Sequence, residues 1–200
     1  MNKQLNIRFI ILISVTVLMG FFRVISHKLD LGSFANFTPI GAMALFGGAY
    51  FRSYDKAFLF PIATLFLSDL ILMQIFYPEH STGLLYKGWY WTYLAFVLMV
   101  LIGRLVKRLS VRNFIFSAVA AALIHWLIAD FGVWYGGGIN LATGKPYPPT
   151  FNGLMECYMM AIPYMKNMLL GNSIYGAILF GSFELAQRKY PALLKPVYDA

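Results

Sequence analysis

Apolar residues are grouped along this chain in long blocks, and short polar or basic turns separate the blocks. An α-helix rises about 1.5 Å per residue, so crossing a hydrocarbon core of about 30 Å takes roughly 20 apolar residues. Most of the blocks approach this length. The pattern therefore predicts an all-α integral membrane protein with about six transmembrane helices, at residues 7–26, 38–51, 57–77, 89–106, 113–135 and 168–187.

Two blocks depart from the length of a single span. The second, residues 38–51, would cover only about 20 Å, so we expect it to be buried among the other helices. The last apolar stretch, residues 151–189, would be roughly 58 Å long as one helix, which is too long for one crossing. Pro163 lies within it and should break or kink the helix, because proline lacks an N–H and clashes with the preceding turn. We therefore predict a short interfacial or re-entrant helix at residues 151–162 before the sixth span.

Composition supports a membrane environment for the whole chain. Hydrophobic residues make up 60% of the sequence and charged residues 12%, whereas soluble domains carry roughly 25% charged residues. A chain with so few charged residues cannot cover the surface of a water-soluble globule of this size. Residues 1–200 are therefore predicted to form a single transmembrane domain in a lipid bilayer. The net charge of +8 is explained by basic turns, and no nucleic-acid-binding motif accompanies it. One cysteine, Cys157, permits neither an intramolecular disulfide nor a cysteine-based zinc site. We predict no metal or other cofactor.

The distribution of Lys and Arg predicts how the chain is oriented. Cytoplasmic loops are enriched in these residues. With the N-terminus inside, the inner segments hold eleven of the 16 Lys and Arg residues and the outer segments hold five. Both termini are therefore expected to be cytoplasmic, in agreement with an even number of spans. The expected location is the cell (inner) membrane, with several passes.

Polar side chains within the predicted spans collect toward one side of the membrane. Such groups are costly at membrane depth and usually mark a site or a pathway. Counting from the helix ends places them in the outer half, whereas the inner half has few ionisable groups. An outward-facing cavity under the loops at residues 78–88 and 136–150 would explain this distribution. It would bind a ligand through Asn36, Thr38, Asp69, His125 and Asp130, with Trp134 and Tyr158 stacking on a flat ring.

The ionisable residues among these also have structural explanations, and the sequence leaves both interpretations open. Asp69 would equally form a buried ion pair with Arg23, and His125 would equally hydrogen-bond a neighbouring helix. Ala44 and Gly48 have the small-xxx-small spacing that lets helices approach closely. They would serve either packing within the chain or the docking of another membrane subunit. Acidic groups at this depth favour a cationic or hydrogen-bond-donating ligand.

Several segments resemble a known class of transporter subunit. The chain looks like a bacterial family of uncharacterised membrane proteins that are similar to the substrate-binding S component of energy-coupling factor (ECF) vitamin transporters. The resemblance covers roughly residues 20–185. It rests on residues 36–51, Leu67-Ser68-Asp69, Tyr147-Pro148, Gly153-Leu154, Cys157-Tyr158, Ile162-Pro163-Tyr164 and Leu179-Phe180-Gly181.

The resemblance implies a role in small-molecule uptake. An S component binds a vitamin or related micronutrient from outside and delivers it with a transmembrane energy-coupling subunit and cytoplasmic ATPases. No Walker motif occurs in this chain, so any ATPases would be separate chains. We therefore expect a substrate-binding membrane component rather than an enzyme. Two alternatives stay open: an intramembrane enzyme that uses Asp69, His125 and Asp130, and a membrane scaffold or assembly subunit.

Overall fold

The computed structural model describes residues 7–28, 36–51, 53–106, 110–190 and 193. A π-helical turn, Leu72–Phe76, prolongs the third helix. An antiparallel hairpin of β1 (Ile139–Asn140) and β2 (Lys145–Pro146) connects the fifth and sixth helices. The predicted all-α architecture is confirmed, and each of the six predicted segments falls on a helix. The helices are α1 (Ile7–Lys28), α2 (Ile40–Tyr50), α3 (Tyr54–Ile71), α4 (Trp89–Leu105), α5 (Val111–Tyr135) and α6 (Phe151–Lys189).

Polar caps fix where three of the helices begin. Ser53, Ser110 and Thr150 precede α3, α5 and α6, and each side-chain oxygen accepts a hydrogen bond from the backbone N–H three residues later, at 3.1 to 3.3 Å. Such caps satisfy N–H groups that the first helical turn leaves without a partner. Ser53 and Ser110 thus fix the first turns of α3 and α5.

Three helical stretches of the described chain are long and apolar enough to cross a membrane: Tyr54–Phe76, Val111–Tyr135 and Phe151–Lys189. The helices α1, α2 and α4 contribute shorter apolar stretches. Large apolar side chains, including Leu18, Phe21 and Phe116, are exposed on the outside of the bundle. Extensive exposed apolar surface is unusual for a monomer in water, so these features fit a membrane protein.

The predicted break in the last apolar stretch is wrong. Residues 151–162 and 168–187 belong to one continuous helix, α6, of 39 residues, with Pro163 inside it. Pro61 is likewise accommodated within α3. A proline removes one backbone hydrogen bond, whereas ending a helix in apolar surroundings leaves several N–H and C=O groups unpaired, each at a cost of several kcal/mol. Continuing through the proline is therefore the less costly arrangement.

Helix α2 lies at the centre of the bundle, as its short length predicts. Every residue from Ile40 to Gly48 is buried. A Cβ atom added to Gly48 would overlap the backbone carbonyl oxygen of Val100 on α4, and one added to Gly103 would overlap that of Leu45 on α2. The backbones of α2 and α4 are therefore in direct contact, which only small residues allow.

This packing corrects the docking surface predicted on Ala44 and Gly48. Ala44 is fully buried, and Gly48 faces the backbone of α4. Neither residue is accessible to another subunit. The small-residue spacing serves packing within the chain, which is the alternative that the sequence left open.

The end of the bundle where α2 finishes is filled by aromatic rings. Phe46, Tyr50, Phe180 and Phe183 pack with ring centroids 4.6 to 5.5 Å apart. The Tyr50 hydroxyl donates a hydrogen bond of 2.5 Å to the carboxylate of Glu184. This cluster closes one end of the bundle, and the polar cavity described next lies toward the other end.

Candidate functional site

A cavity of about 300 Å³ lies between the six helices, at the end where α1, α3 and α5 finish. This volume equals that of roughly ten water molecules in the liquid, enough for a small organic ligand. All six helices or the segments that adjoin them contribute to its wall. The polar side chains that line it are Arg23, Asn36, Thr38, Asp69, Tyr86, Thr92, His125, Asp130 and Tyr164. Five of the seven predicted ligand-binding residues are thus brought together.

Asp69 of α3 is held by partners on two other helices. Arg23 of α1 donates from Nη2 to Asp69 Oδ1 at 2.6 Å and from Nη1 to Ser68 Oγ at 2.6 Å. The Tyr93 hydroxyl of α4 donates to Asp69 Oδ2 at 3.1 Å. The Asp69 side chain is 2% exposed, and removing one partner of a buried ion pair leaves an uncompensated charge. Asp69 therefore lines the cavity and also joins α1, α3 and α4.

The chain enters α2 through a fixed turn at the cavity rim. Asn36 has a positive φ of 67°, which asparagine tolerates better than most residues. Its carbonyl accepts a hydrogen bond of 2.9 Å from the backbone N–H of Thr38. A Cβ atom added to Gly171 of α6 would lie 3.0 Å from the Thr38 carbonyl oxygen. The turn therefore packs on α6, which places Asn36 and Thr38 beside the cavity.

His125 and Asp130 both line the cavity from α5. His125 is 9% exposed, and its ring packs edge-on against Phe96 of α4 with centroids 5.6 Å apart. The backbone carbonyl of Asp130 accepts a hydrogen bond from the Cys157 thiol at 3.5 Å, which ties this part of α5 to α6. Within the described residues, neither the His125 imidazole nor the Asp130 carboxylate forms a hydrogen bond or an ion pair with another side chain. Both polar groups therefore face the cavity available to a ligand.

The segment after α3 covers the cavity. Tyr86 reaches into it, and an isolated β-bridge pairs Tyr86 with Ser81. The Gln74 amide nitrogen donates to Ser81 Oγ at 3.2 Å and to the Gly83 carbonyl at 3.0 Å. Lys87 Nζ donates to the Gly136 carbonyl, at the end of α5, at 2.9 Å. The covering loop is thus fixed to both α3 and α5.

The Tyr86 hydroxyl is expected to ionise at a higher pH than the hydroxyl of a free tyrosine. Burial, reinforced by the negative charge of Asp69, raises the pKa of Tyr86 from 10.0 to about 12. A group whose pKa is raised by folding stabilises the folded state below its unfolded pKa, and this contribution is lost as the pH rises from 10 to 12. We expect thermal stability to fall less steeply over this interval in Tyr86→Phe than in the unsubstituted protein. Replacing the exposed Tyr90 by phenylalanine is the control, and equal slopes for all three proteins would contradict the assignment.

Trp134 and Tyr158, the two predicted stacking residues, do not line the cavity. Trp134 Nε1 donates to the Pro148 carbonyl at 2.9 Å, which holds the loop before α6. The Tyr158 hydroxyl donates to the Leu127 carbonyl at 3.0 Å, and its ring lies 5.1 Å from that of Trp126. Both side chains therefore fasten α5 to the loop and to α6.

The cavity wall also contains residues that were not among the predicted ligand-binding residues. Thr92 and Phe96 line the wall from α4, and Tyr86 covers it. Thr92 and Phe96 are four residues apart and so share a helix face, a spacing that marks them in retrospect. Tyr86 lies in a loop, where no helical period applies. The described chain contains no group of three or more His, Cys, Asp or Glu residues able to hold a metal ion.

The fold and the cavity define a class: an all-α protein whose long apolar helices fit a membrane and enclose a polar pocket. The chain belongs to a family described as a family of unknown function, DUF6580, whose sequence profile matches residues 3–193. Comparisons with curated proteins and with solved structures find no match.

Proposed function

We propose that this protein is a small-molecule-binding component of an uptake system and spans the cell (inner) membrane with six helices. One observation carries the proposal: residues from all six helices converge on one cavity with a polar lining. Ligand pockets typically combine apolar walls with a few polar groups that orient the ligand. Here Ile40, Leu72, Phe96 and Val133 supply apolar wall, and the polar groups come from five helices and from two connecting segments.

The proposed orientation puts this cavity on the outer side. With both termini in the cytoplasm, the end where α1, α3 and α5 finish faces outward. Several of the basic residues behind this orientation, Lys3, Arg52, Lys107, Arg108 and Lys195, lie outside the described residues. The aromatic cluster of Phe46, Tyr50, Phe180 and Phe183 would then close the inner end, so the cavity would open to one side only. A one-sided pocket suits a binding component better than a channel.

The resemblance to ECF S components extends the proposal to partners. A transmembrane energy-coupling subunit and cytoplasmic ATPases would release the bound molecule into the cell. Because Ala44 and Gly48 are buried inside the bundle, such a subunit would contact a different surface. The ligand would be a vitamin or a micronutrient of small size, in keeping with the cavity volume.

Solvent extraction of the purified protein followed by mass spectrometry tests the proposal. We expect one small organic molecule at close to one per chain. The variant Ala129→Trp would fill the cavity from α5, because Ala129 lies on its wall, and it should yield an empty protein. Ala120→Trp, on the same helix away from this cavity, is the matched control and should retain the molecule. Equal recovery from a correctly folded Ala129→Trp protein would contradict binding in the cavity.

A further inference from the structure

The charges that line the cavity do not balance. Arg23 is the one cationic side chain among the described residues of its wall, and its guanidinium is bonded to Asp69 at 2.6 Å. Asp69 has both carboxylate oxygens occupied, one by Arg23 and one by Tyr93. Asp130 is therefore the carboxylate of this wall that remains without a bonded cation.

The lysine of the loop that covers the cavity is engaged elsewhere. Lys87, on the loop that covers the cavity, donates its ammonium to the Gly136 carbonyl at 2.9 Å. The polar side chains that line the cavity with Asp130 include His125 on the same helix and Tyr164 on α6. His125 offers one donor and one acceptor when neutral, so it orients a polar ligand without requiring a charge on it. Asp130 thus lacks a counter-ion from the described part of the chain.

We propose that the cavity selects a small organic cation and that Asp130 binds its ammonium group. The inference rests on the proposed ligand-binding function and names the charge class of the ligand. A carboxylate in a low-dielectric site attracts a cation far more strongly than it does in water, and a charged group at membrane depth is retained where it serves a site. The apolar wall would accommodate the organic part of the ligand. The ring of Phe96 would attract the cation.

The same geometry argues against a metal ion. A divalent cation such as Ca²⁺ takes six or more oxygen ligands, several of them carboxylates. The wall offers one unpaired carboxylate, and the described residues contain no cluster of three or more His, Cys, Asp or Glu side chains. A monovalent ammonium needs a single carboxylate and a few hydrogen-bond acceptors, which Asp130 and His125 provide.

Matched probes test this charge assignment. The binding of phenethylammonium, 2-phenylethanol and phenylacetate, and of butylammonium, 1-butanol and butyrate, is measured on the purified protein by calorimetry and thermal shift. We expect each ammonium to bind at least about tenfold more tightly than its neutral partner, about 1.4 kcal/mol, and the carboxylates to bind weakest. Asp130→Asn should abolish this preference, Asp130→Glu should retain it, and Glu79→Gln, an exposed acid at the same end, should leave it unchanged.

The outcomes separate this inference from the proposed function. Equal or tighter binding of neutral or anionic probes, lost in Ala129→Trp, would overturn the cation preference and leave the ligand cavity standing. Binding that survives Ala129→Trp would contradict both. A panel without any binder would overturn the charge assignment, and the extracted molecule would then decide the proposed function by itself. The comparison between probes on the unsubstituted protein remains decisive even where Asp130→Asn does not fold.

Discussion

Replacing Asp69 by alanine is expected to lower the free energy of unfolding by about 3–5 kcal/mol, because it leaves the Arg23 guanidinium without its buried partner. Arg23 and Tyr93 both bond to this carboxylate, so the substitution also removes links from α3 to α1 and to α4. The measurement is unfolding in mild detergent, followed by circular dichroism. Glu79→Gln, an exposed acid on the loop at the same end, is the control and should change stability little.

A double substitution distinguishes the ion pair from simple packing. Replacing both members by apolar residues of similar size, Arg23→Met with Asp69→Leu, removes the uncompensated charge, and such replacements are often neutral. We expect the double variant to regain at least half of the stability that Asp69→Ala loses. Additive losses from the two positions would show that the charges do not interact in the folded protein.

The second large effect is expected where α2 meets α4. Replacing Gly48 by alanine places a methyl group against the Val100 carbonyl and close to the backbone of Gly103. Backbone atoms cannot move aside as a flexible side chain does, so the helices must separate. We expect a loss of about 1–3 kcal/mol or more in unfolding free energy, typical of overpacked cores, together with lower yield of folded protein.

Gly181→Ala supplies the matched control for this prediction. Gly181 lies within α6, and an added Cβ atom would meet nothing within 4 Å. Alanine favours a helix interior over glycine by roughly 0.5–1 kcal/mol, so this variant should be as stable as the unsubstituted protein or more so. A Gly48→Ala variant of unchanged stability would mean that α2 and α4 are not in backbone contact.

The helices were predictable because block length and turn chemistry are local properties. Ser53 and Ser110 cap helices that begin at Tyr54 and Val111, three and two residues before the predicted starts at 57 and 113. Pro163 misled because its local preference for breaking a helix is weaker than the cost of exposing backbone groups in apolar surroundings. That cost depends on what surrounds α6, which the sequence does not state. The central position of α2 followed from its short length, whereas the partner of Ala44 and Gly48 did not, because small-xxx-small spacing serves contacts within a chain and between chains alike.

The depth of the site residues in the bundle was predictable from the sequence. The direction in which each side chain points around its helix was less so. Counting from helix ends brought Asp69, His125 and Asp130 to the same half of the bundle, and the structure places all three on one cavity. Successive residues of a helix are about 100° apart, so His125, Ala129, Val133 and Asp130 span an arc of about 140°. Trp134 falls about 40° beyond the Asp130 edge of this arc. Depth alone could not reveal that boundary, because it is set by the neighbouring helices.

Tyr158 on α6 lies away from the cavity for the same reason, the rotation of side chains about the helix axis. Tyr164 and Met168 line the cavity from that helix, and Tyr158 is turned about 120° away from Tyr164. Its side chain faces Trp126 and the Leu127 carbonyl of α5 instead. The continuous course of α6 through Pro163 fixes this rotation, so the incorrect helix break and the incorrect aromatic assignment have one cause.

The presence of a ligand in the cavity can be seen in an experimental density map of the protein, purified from its own membranes without added ligand. We expect compact non-protein density within the cavity, between Asp130 and Phe96, with the Arg23–Asp69 pair intact beside it. A cavity filled by side chains of the chain itself, or by a lipid acyl chain that enters between the helices, would contradict this expectation.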